Sequence, residues 1–170
     1  MSRLIYQHKW MMICEDQYET PFVDMTPSDG TMVVPLTASG DVLLLSEYSP
    51  AYDRYVYFLP GGGIDPGEAP ADCANRELQE EAGYKAARLD FLGEMYPFMK
   101  YLHGCFYLYL ARDLQPNKLQ GDETTEITVR PIPFADFESL IVTGELQDSS
   151  VIAALYRARS FLAKENQGRV

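Results

Sequence analysis

Hydrophobic and polar positions change their period several times along the chain, and each change marks an element. Residues 4–25 hold β-prone pieces such as Trp10-Met11-Met12-Ile13-Cys14 and run into Thr26-Pro27-Ser28-Asp29-Gly30, whose composition predicts a turn. We therefore expect residues 1–30 to form a short β appendage. Strand-like runs at 32–37 and 42–48 follow, joined by Ala38-Ser39-Gly40-Asp41, which has hairpin-loop length and a glycine. Residues 55–59 form a further strand that ends in Pro60-Gly61-Gly62-Gly63, where the chain must turn and its backbone can approach a ligand closely.

Helical spacing takes over at 70–82, where Ala71, Ala74, Leu78 and Ala82 form an apolar stripe. Pro70 stands at a permitted first-turn position, and Gly83 can end the helix in a left-handed conformation. Strand-like runs recur at 89–95, 105–111 and 126–132, before a short helical segment over 134–142. Asp148 or Ser149 can then cap a helix whose Val151, Leu155, Ala158 and Leu162 repeat at helical spacing. Strands interleaved with two or three helices predict a sheet packed by helices, an α/β or α+β sandwich. With 170 residues, 46% of them hydrophobic, we expect one domain over residues 1–170.

Charge narrows the partners. Lys and Arg total 14 against 25 Asp and Glu, a net charge of −11 that opposes binding to polyanionic DNA or RNA. The longest apolar stretch, Cys-Phe-Tyr-Leu-Tyr-Leu-Ala at 105–111, is far short of the ~20 residues a membrane-spanning helix needs. With no basic-then-apolar leader at its N-terminus, the chain is read as cytoplasmic. Cys14, Cys73 and Cys105 sit in no metal or disulfide spacing and are expected to be reduced core thiols.

The acidic charge is concentrated. The 23 residues from Gly62 to Tyr84 hold Asp65, Glu68, Asp72, Glu77, Glu80 and Glu81 against Arg76, a net −5. On a helix, Glu77, Glu80 and Glu81 share one face, where like charges repel by up to ~0.5 kcal/mol per pair unless a cation relieves them. An acidic helix face is usually just solvated surface. Here it follows a glycine turn able to add a bare carbonyl, a donor set suited to Mg²⁺ or Mn²⁺, which takes hard oxygen ligands and keeps positions for substrate phosphates.

The spacing is more specific than the charge. Gly62, five residues, Glu68, seven residues, then Arg76-Glu77-Leu78-Gln79-Glu80-Glu81-Ala82-Gly83 resembles the box of the Nudix hydrolases, with Tyr84 where an aliphatic residue is usual. The resemblance implies an α/β/α sandwich with a central mixed sheet, in which the box at 62–84 forms a loop, helix and loop. It implies Glu77, Glu80 and Glu81 as metal ligands, the Gly61 carbonyl as an addition, and Gly62, Glu68, Arg76 and Gly83 as shapers of the box. Glu80 is also kept among the catalytic candidates. The implied reaction is metal-dependent hydrolysis of a nucleoside diphosphate linked to another group.

Outside the box, Leu59-Pro60-Gly61-Gly62, Glu47-Tyr48, Asp113-Leu114 and the C-terminal helix resemble ADP-ribose pyrophosphatases. Ile64-Asp65-Pro66-Gly67-Glu68 and Gln167-Gly168-Arg169-Val170 resemble the related ADP-compounds and NADH hydrolases. Two departures are Ser49, where an arginine is common, and Phe58, where a glutamate is common. In that subfamily a late acidic loop supplies the general base, which points to Glu123 or Glu126. ADP-ribose is the implied substrate, with NADH, a dinucleoside polyphosphate, a GDP-sugar or a non-catalytic nucleotide sensor as alternatives. The N-terminal segment resembles a region exchanged between subunits, implying a homodimer.

Less specific positions complete the reading. Arg54 and Lys100 flank strands and could meet a substrate phosphate, whereas lone surface cations usually do nothing specific. His8 and His103 sit in no motif, and Tyr96, Phe98, Tyr101, Tyr107 and Tyr109 read first as core aromatics.

Overall fold

The computed structural model describes residues 2–9, 11–121 and 125–168. Among the described residues, eight strands lie in two sheets. β1 (Arg3–Gln7), β2 (Met11–Glu15), β3 (Pro21–Pro35), β6 (Tyr84–Met95) and β7 (Leu102–Pro116) form a mixed sheet of order β1-β2-β3-β7-β6, with β3 and β7 parallel. β4 (Asp41–Ser49), β5 (Arg54–Phe58) and β8 (Thr128–Pro133) form an antiparallel sheet of order β5-β4-β8.

Helices cover opposite sides. α1 (Pro70–Glu77) continues into a π-helical turn, Leu78–Ala82, and buries Ala74, Leu78 and Ala82 against Val33, Leu45, Tyr109 and Ala111. α2 (Phe137–Thr143), entered through a 3₁₀ turn at Phe134–Asp136, and α3 (Ser149–Gln167) bury Phe137, Val151, Leu155 and Ala158 against Val34, Val42, Leu44 and Leu110. The Asp148 carboxylate caps α3, accepting from the Ser150 and Val151 amides at 2.8 and 2.9 Å. Val33, Val34, Leu44 and Leu45 are all fully buried because both faces of their strands are covered, which is why these runs read as continuous rather than alternating. The expected sandwich with a mixed sheet is borne out.

Two local expectations change. Residues 26–30 do not form a turn but continue β3, whose register against β7 jumps from Asp24 opposite His103 to Asp29 opposite Cys105. Pairing on either side holds the chain extended, and the turn-prone residues are absorbed as a bulge. The loop at 38–41 does reverse the chain, with Thr37 N–H bonded to Asp41 O at 2.9 Å, but the pairing recorded there is an isolated bridge between Leu36 and Val42 rather than a ladder of β3 with β4. They then part into different sheets, so α1 is sandwiched against residues from both.

Candidate active site

β2 pairs with β3 only as far as Met25, and beyond it the free edge of β3 receives the glycine run. Thr31 N–H bonds Gly62 O and Val33 N–H bonds Pro60 O, both at 2.8 Å, and Ile64 N–H bonds Asp29 O at 3.1 Å. The turn after β5 is thereby fastened like a short extra strand. Glycine is required by proximity: a Cβ on Gly61 would stand 3.1 Å from Met32 Cα, and one on Gly62 would stand 2.6 Å from Glu77 Cδ.

The carboxylates of α1 reach this turn. Glu81 Oε2 accepts the Gly61 amide at 2.8 Å, and Glu77 lies against Gly62, so these two buried acids flank one dipeptide. Glu80 turns instead to Arg76, whose Nη1 contacts Glu80 Oε2 at 3.1 Å and Glu77 Oε1 at 2.7 Å. The cation expected to relieve this acidic face is thus partly supplied by the chain itself.

Arg76 also forms a forked pair with Glu68, Nε to Oε1 at 2.8 Å and Nη2 to Oε2 at 2.9 Å, and donates to Gly63 O at 3.2 Å. Glu68 Oε2 accepts the Asp65 amide at 3.1 Å, closing the loop between turn and helix. The hydrogen bond from Arg76 holds the Glu68 carboxyl down at about 2, and the Glu68 carboxylate in turn raises the Arg76 pKa. Beneath the loop the fully buried Cys73 thiol faces Thr31 Oγ1 and Gly63 O, each at 3.4 Å, and burial pushes its pKa up to about 11. Cys73 is therefore an inert packing thiol rather than a nucleophile.

Among the described residues, no three acidic, imidazole or thiol groups stand in the arrangement of a formed metal centre. Chemically the set fits a hard divalent ion: Glu77 and Glu81 offer carboxylate oxygens beside a backbone turn, with Glu80 next to them.

The remaining candidates are dispersed. Glu123 lies outside the described residues. Glu126 lines a cavity of about 490 Å³ with Ser46, Tyr55, Tyr57, Thr128 and Arg130. Tyr57 packs with the α2 and α3 core, whereas Ile127 and Val129 pack with α1, so the side chains alternating with them open on the face away from α1. Arg54 donates to Gln147 and lines a cavity of about 280 Å³ with Gly144 and Glu145, beside the connection from α2 to α3. Lys100 is exposed on the β6 to β7 loop, 5.1 Å from the Tyr101 ring. That loop adds Tyr96 and Met99 to a cavity of about 180 Å³ walled by Asp29, whose carbonyl holds the Ile64 amide.

Sequence reasoning missed three supports. Asn75 bonds both backbone groups of Ala86, its Oδ1 accepting at 2.9 Å and its Nδ2 donating at 3.0 Å, and so ties α1 to β6. A polar residue beside the apolar stripe was the available signal. The second is Lys118 on the helix end, which no local pattern marked. The third is the π turn itself, closed by Gly83 N–H to Leu78 O, with Gly83 in the expected left-handed conformation at φ 79°. It winds Glu80 and Glu81 differently from the regular helix that the spacing predicts, and such turns recur at functional sites.

A glycine turn clipped to a strand edge, an Arg-centred acidic helix against it and helices on both sides of a mixed sheet define the class as an α+β sandwich. The NUDIX domain profile matches residues 26–155, and the chain belongs to that family. It is 32% identical over 145 residues to the ADP compounds hydrolase NudE of Escherichia coli (strain K12), covering 85% of this chain and 76% of that protein. It is 26% identical over 125 residues to the ADP-ribose pyrophosphatase of Bacillus subtilis (strain 168), covering 72% and 68%. A crystal structure of an ADP compounds hydrolase superposes with a TM-score of 0.82 at 28% identity, covering 100% of this chain and 95% of that one.

Proposed function

We propose that this chain, a Nudix pyrophosphatase, hydrolyses the diphosphate bond of ADP-ribose or a related nucleoside diphosphate derivative, giving AMP and a phosphorylated second product. The observation that carries the reading is the pairing of Glu77 and Glu81 with the Gly61 and Gly62 turn, on a chain similar to an ADP compounds hydrolase. We assign Glu77, Glu81 and Glu80, with the Gly61 carbonyl, as the oxygen donors that would hold Mg²⁺ or Mn²⁺. When bound, such an ion neutralises a diphosphate and acidifies water.

The chain's own groups supply the rest. Arg76 fixes Glu77 and Glu80, and Glu68 fixes Arg76, so the donors are held before substrate arrives. A carboxylate of the 121–126 loop takes the proton from the attacking water, and we place Glu123 ahead of Glu126, because Glu126 opens away from α1. For a substrate phosphate we favour Lys100, supported by its exposure on the loop whose Tyr96 and Met99 share a cavity with Asp29, whereas Arg54 is engaged by Gln147.

We further assign the protein to the cytoplasm, supported by three free, buried thiols, and to a homodimer, supported by exposed Leu4, Ile5 and Tyr6 on the edge strand β1. No helix among the described residues is long and apolar enough to cross a membrane. The test is a panel of ADP-ribose, NADH, diadenosine polyphosphates and GDP-mannose with Mg²⁺, followed by phosphatase-coupled release of phosphate. Turnover of ADP-ribose or NADH is expected. Turnover confined to GDP-mannose moves the substrate class, and thermal stabilisation by ADP-ribose without products identifies a sensor instead.

A further inference from the structure

The last carbonyls of a helix have no partners within it, and here they belong to the turn that carries the acidic side chains. Residues 117–119, at the end of β7, lie along that turn and bond it at both ends and in the middle. Asn117 N–H donates to Gly83 O at 2.9 Å and Leu119 N–H donates to Gln79 O at 3.3 Å. Between them the Lys118 ammonium donates to Glu80 O and reaches Glu81 O at 3.5 Å, while its stem covers Gly83. Gln79 adds a side-chain bond to Asn75 O at 2.7 Å, fixing the turn's start to α1. The two residues Lys118 grips by the backbone are the two whose carboxylates face Arg76 and the Gly61 amide.

We propose that Lys118 is a positioning residue, which locks the π turn and thereby aims the Glu80 and Glu81 carboxylates at the glycine turn. It touches no reacting atom. A cation at the carbonyl end of a helix is electrostatically favoured, and its three donors let one ammonium hold two adjacent carbonyls. The strap thus supplies the turn's last carbonyls with partners that the helix itself does not offer. The assignment rests on the metal role given above to Glu80 and Glu81.

The test compares Lys118→Met and Lys118→Arg with the unaltered protein. The readouts are Mn²⁺ affinity by electron paramagnetic resonance, kcat and KM for ADP-ribose, and hydrogen exchange at the amides of 81–83. Lys118→Met should bind Mn²⁺ about tenfold more weakly, lower kcat with little change in KM, and exchange faster at 81–83, with Lys118→Arg recovering most of each. Circular dichroism of the same samples should show the melting temperature nearly unchanged. Wild-type Mn²⁺ affinity in Lys118→Met overturns the proposal. So does a loss that only parallels general unfolding and that arginine fails to recover. A wild-type protein that hydrolyses nothing, yet loses Mn²⁺ affinity in Lys118→Met, removes the enzymatic reading and leaves the strap intact.

Discussion

Glu81 takes the backbone amide of Gly61 across 2.8 Å, joining residues twenty positions apart and fastening the helix to the turn that precedes it. The carboxylate is buried, so the bond both satisfies an amide and fixes the acid's direction. Replacing Glu81 with Gln keeps the shape and one acceptor oxygen for the Gly61 amide but removes the charge. We expect kcat to fall by at least about a hundredfold with a melting temperature near wild type. Steady-state rates across a Mg²⁺ titration check this, and full metal-dependent activity in the variant would make the ligand assignment wrong.

Gly62 tests the same relationship by volume. A methyl at this position meets the Glu77 carboxylate, with its Cδ 2.6 Å away, and that carboxylate is buried and held by Arg76. Gly62→Ala should lose about 1–3 kcal/mol of stability and most of its activity. Gly67→Ala is the comparison, since that residue has open space around it but a φ of 86°, so its loss should come from backbone strain and leave metal binding intact. Urea midpoints together with Mn²⁺ affinity separate the two effects.

Glu68 gives the fold an acid limit. Its folded pKa is about 2, below the ordinary 4.5, so the ionised form is favoured in the native state. That contribution is complete above pH 4.5 and is lost as the pH falls toward 2. Glu68→Gln should be less stable than wild type by about 1–3 kcal/mol at neutral pH, with the gap closing by pH 2. Denaturant midpoints between pH 2 and 7 measure it, and parallel curves for the two proteins would remove Glu68 from the acid response.

The second helix layer makes an independent prediction. Asp148 caps α3 through two backbone amides, and α3 packs into the core cluster around Val34 and Leu44, whereas α1 packs into the cluster around Val33 and Leu45. Asp148→Ala should cost about 1 kcal/mol while kcat for ADP-ribose stays within twofold. A calorimetric melt with a parallel assay checks this, and a selective loss of rate would show that α3 reaches the chemistry.

Much of this was legible in the sequence because the signals are local. Ala74, Leu78 and Ala82 at helical spacing, Pro70 at its start and Gly83 at its end define a helix without reference to anything distant. Spacing likewise brought Gly62, Glu68, Arg76, Glu77 and Glu81 together. What escaped depends on contacts far along the chain. Residues 26–30 look like a turn until β7 holds them extended, and the strands around 38–41 look like a hairpin until helices separate them into two sheets. Lys118 lies 38 residues beyond Glu80, and no local pattern links the two. The spacing of the acids alone calls for a metal; only the folded loop shows the Arg76 guanidinium shared by Glu68, Glu77 and Glu80.

The central claim is that Glu77 and Glu81, held against the Gly61 and Gly62 turn, make this protein a metal-dependent diphosphatase. Ion-exchange analysis of ADP-ribose incubated with the purified protein, with Mg²⁺ and then with excess chelator, tests it most directly. The account predicts equal amounts of AMP and ribose 5-phosphate with Mg²⁺ and neither with chelator. Undiminished products in chelator, or intact ADP-ribose and, in a parallel incubation, intact NADH in both, would contradict it.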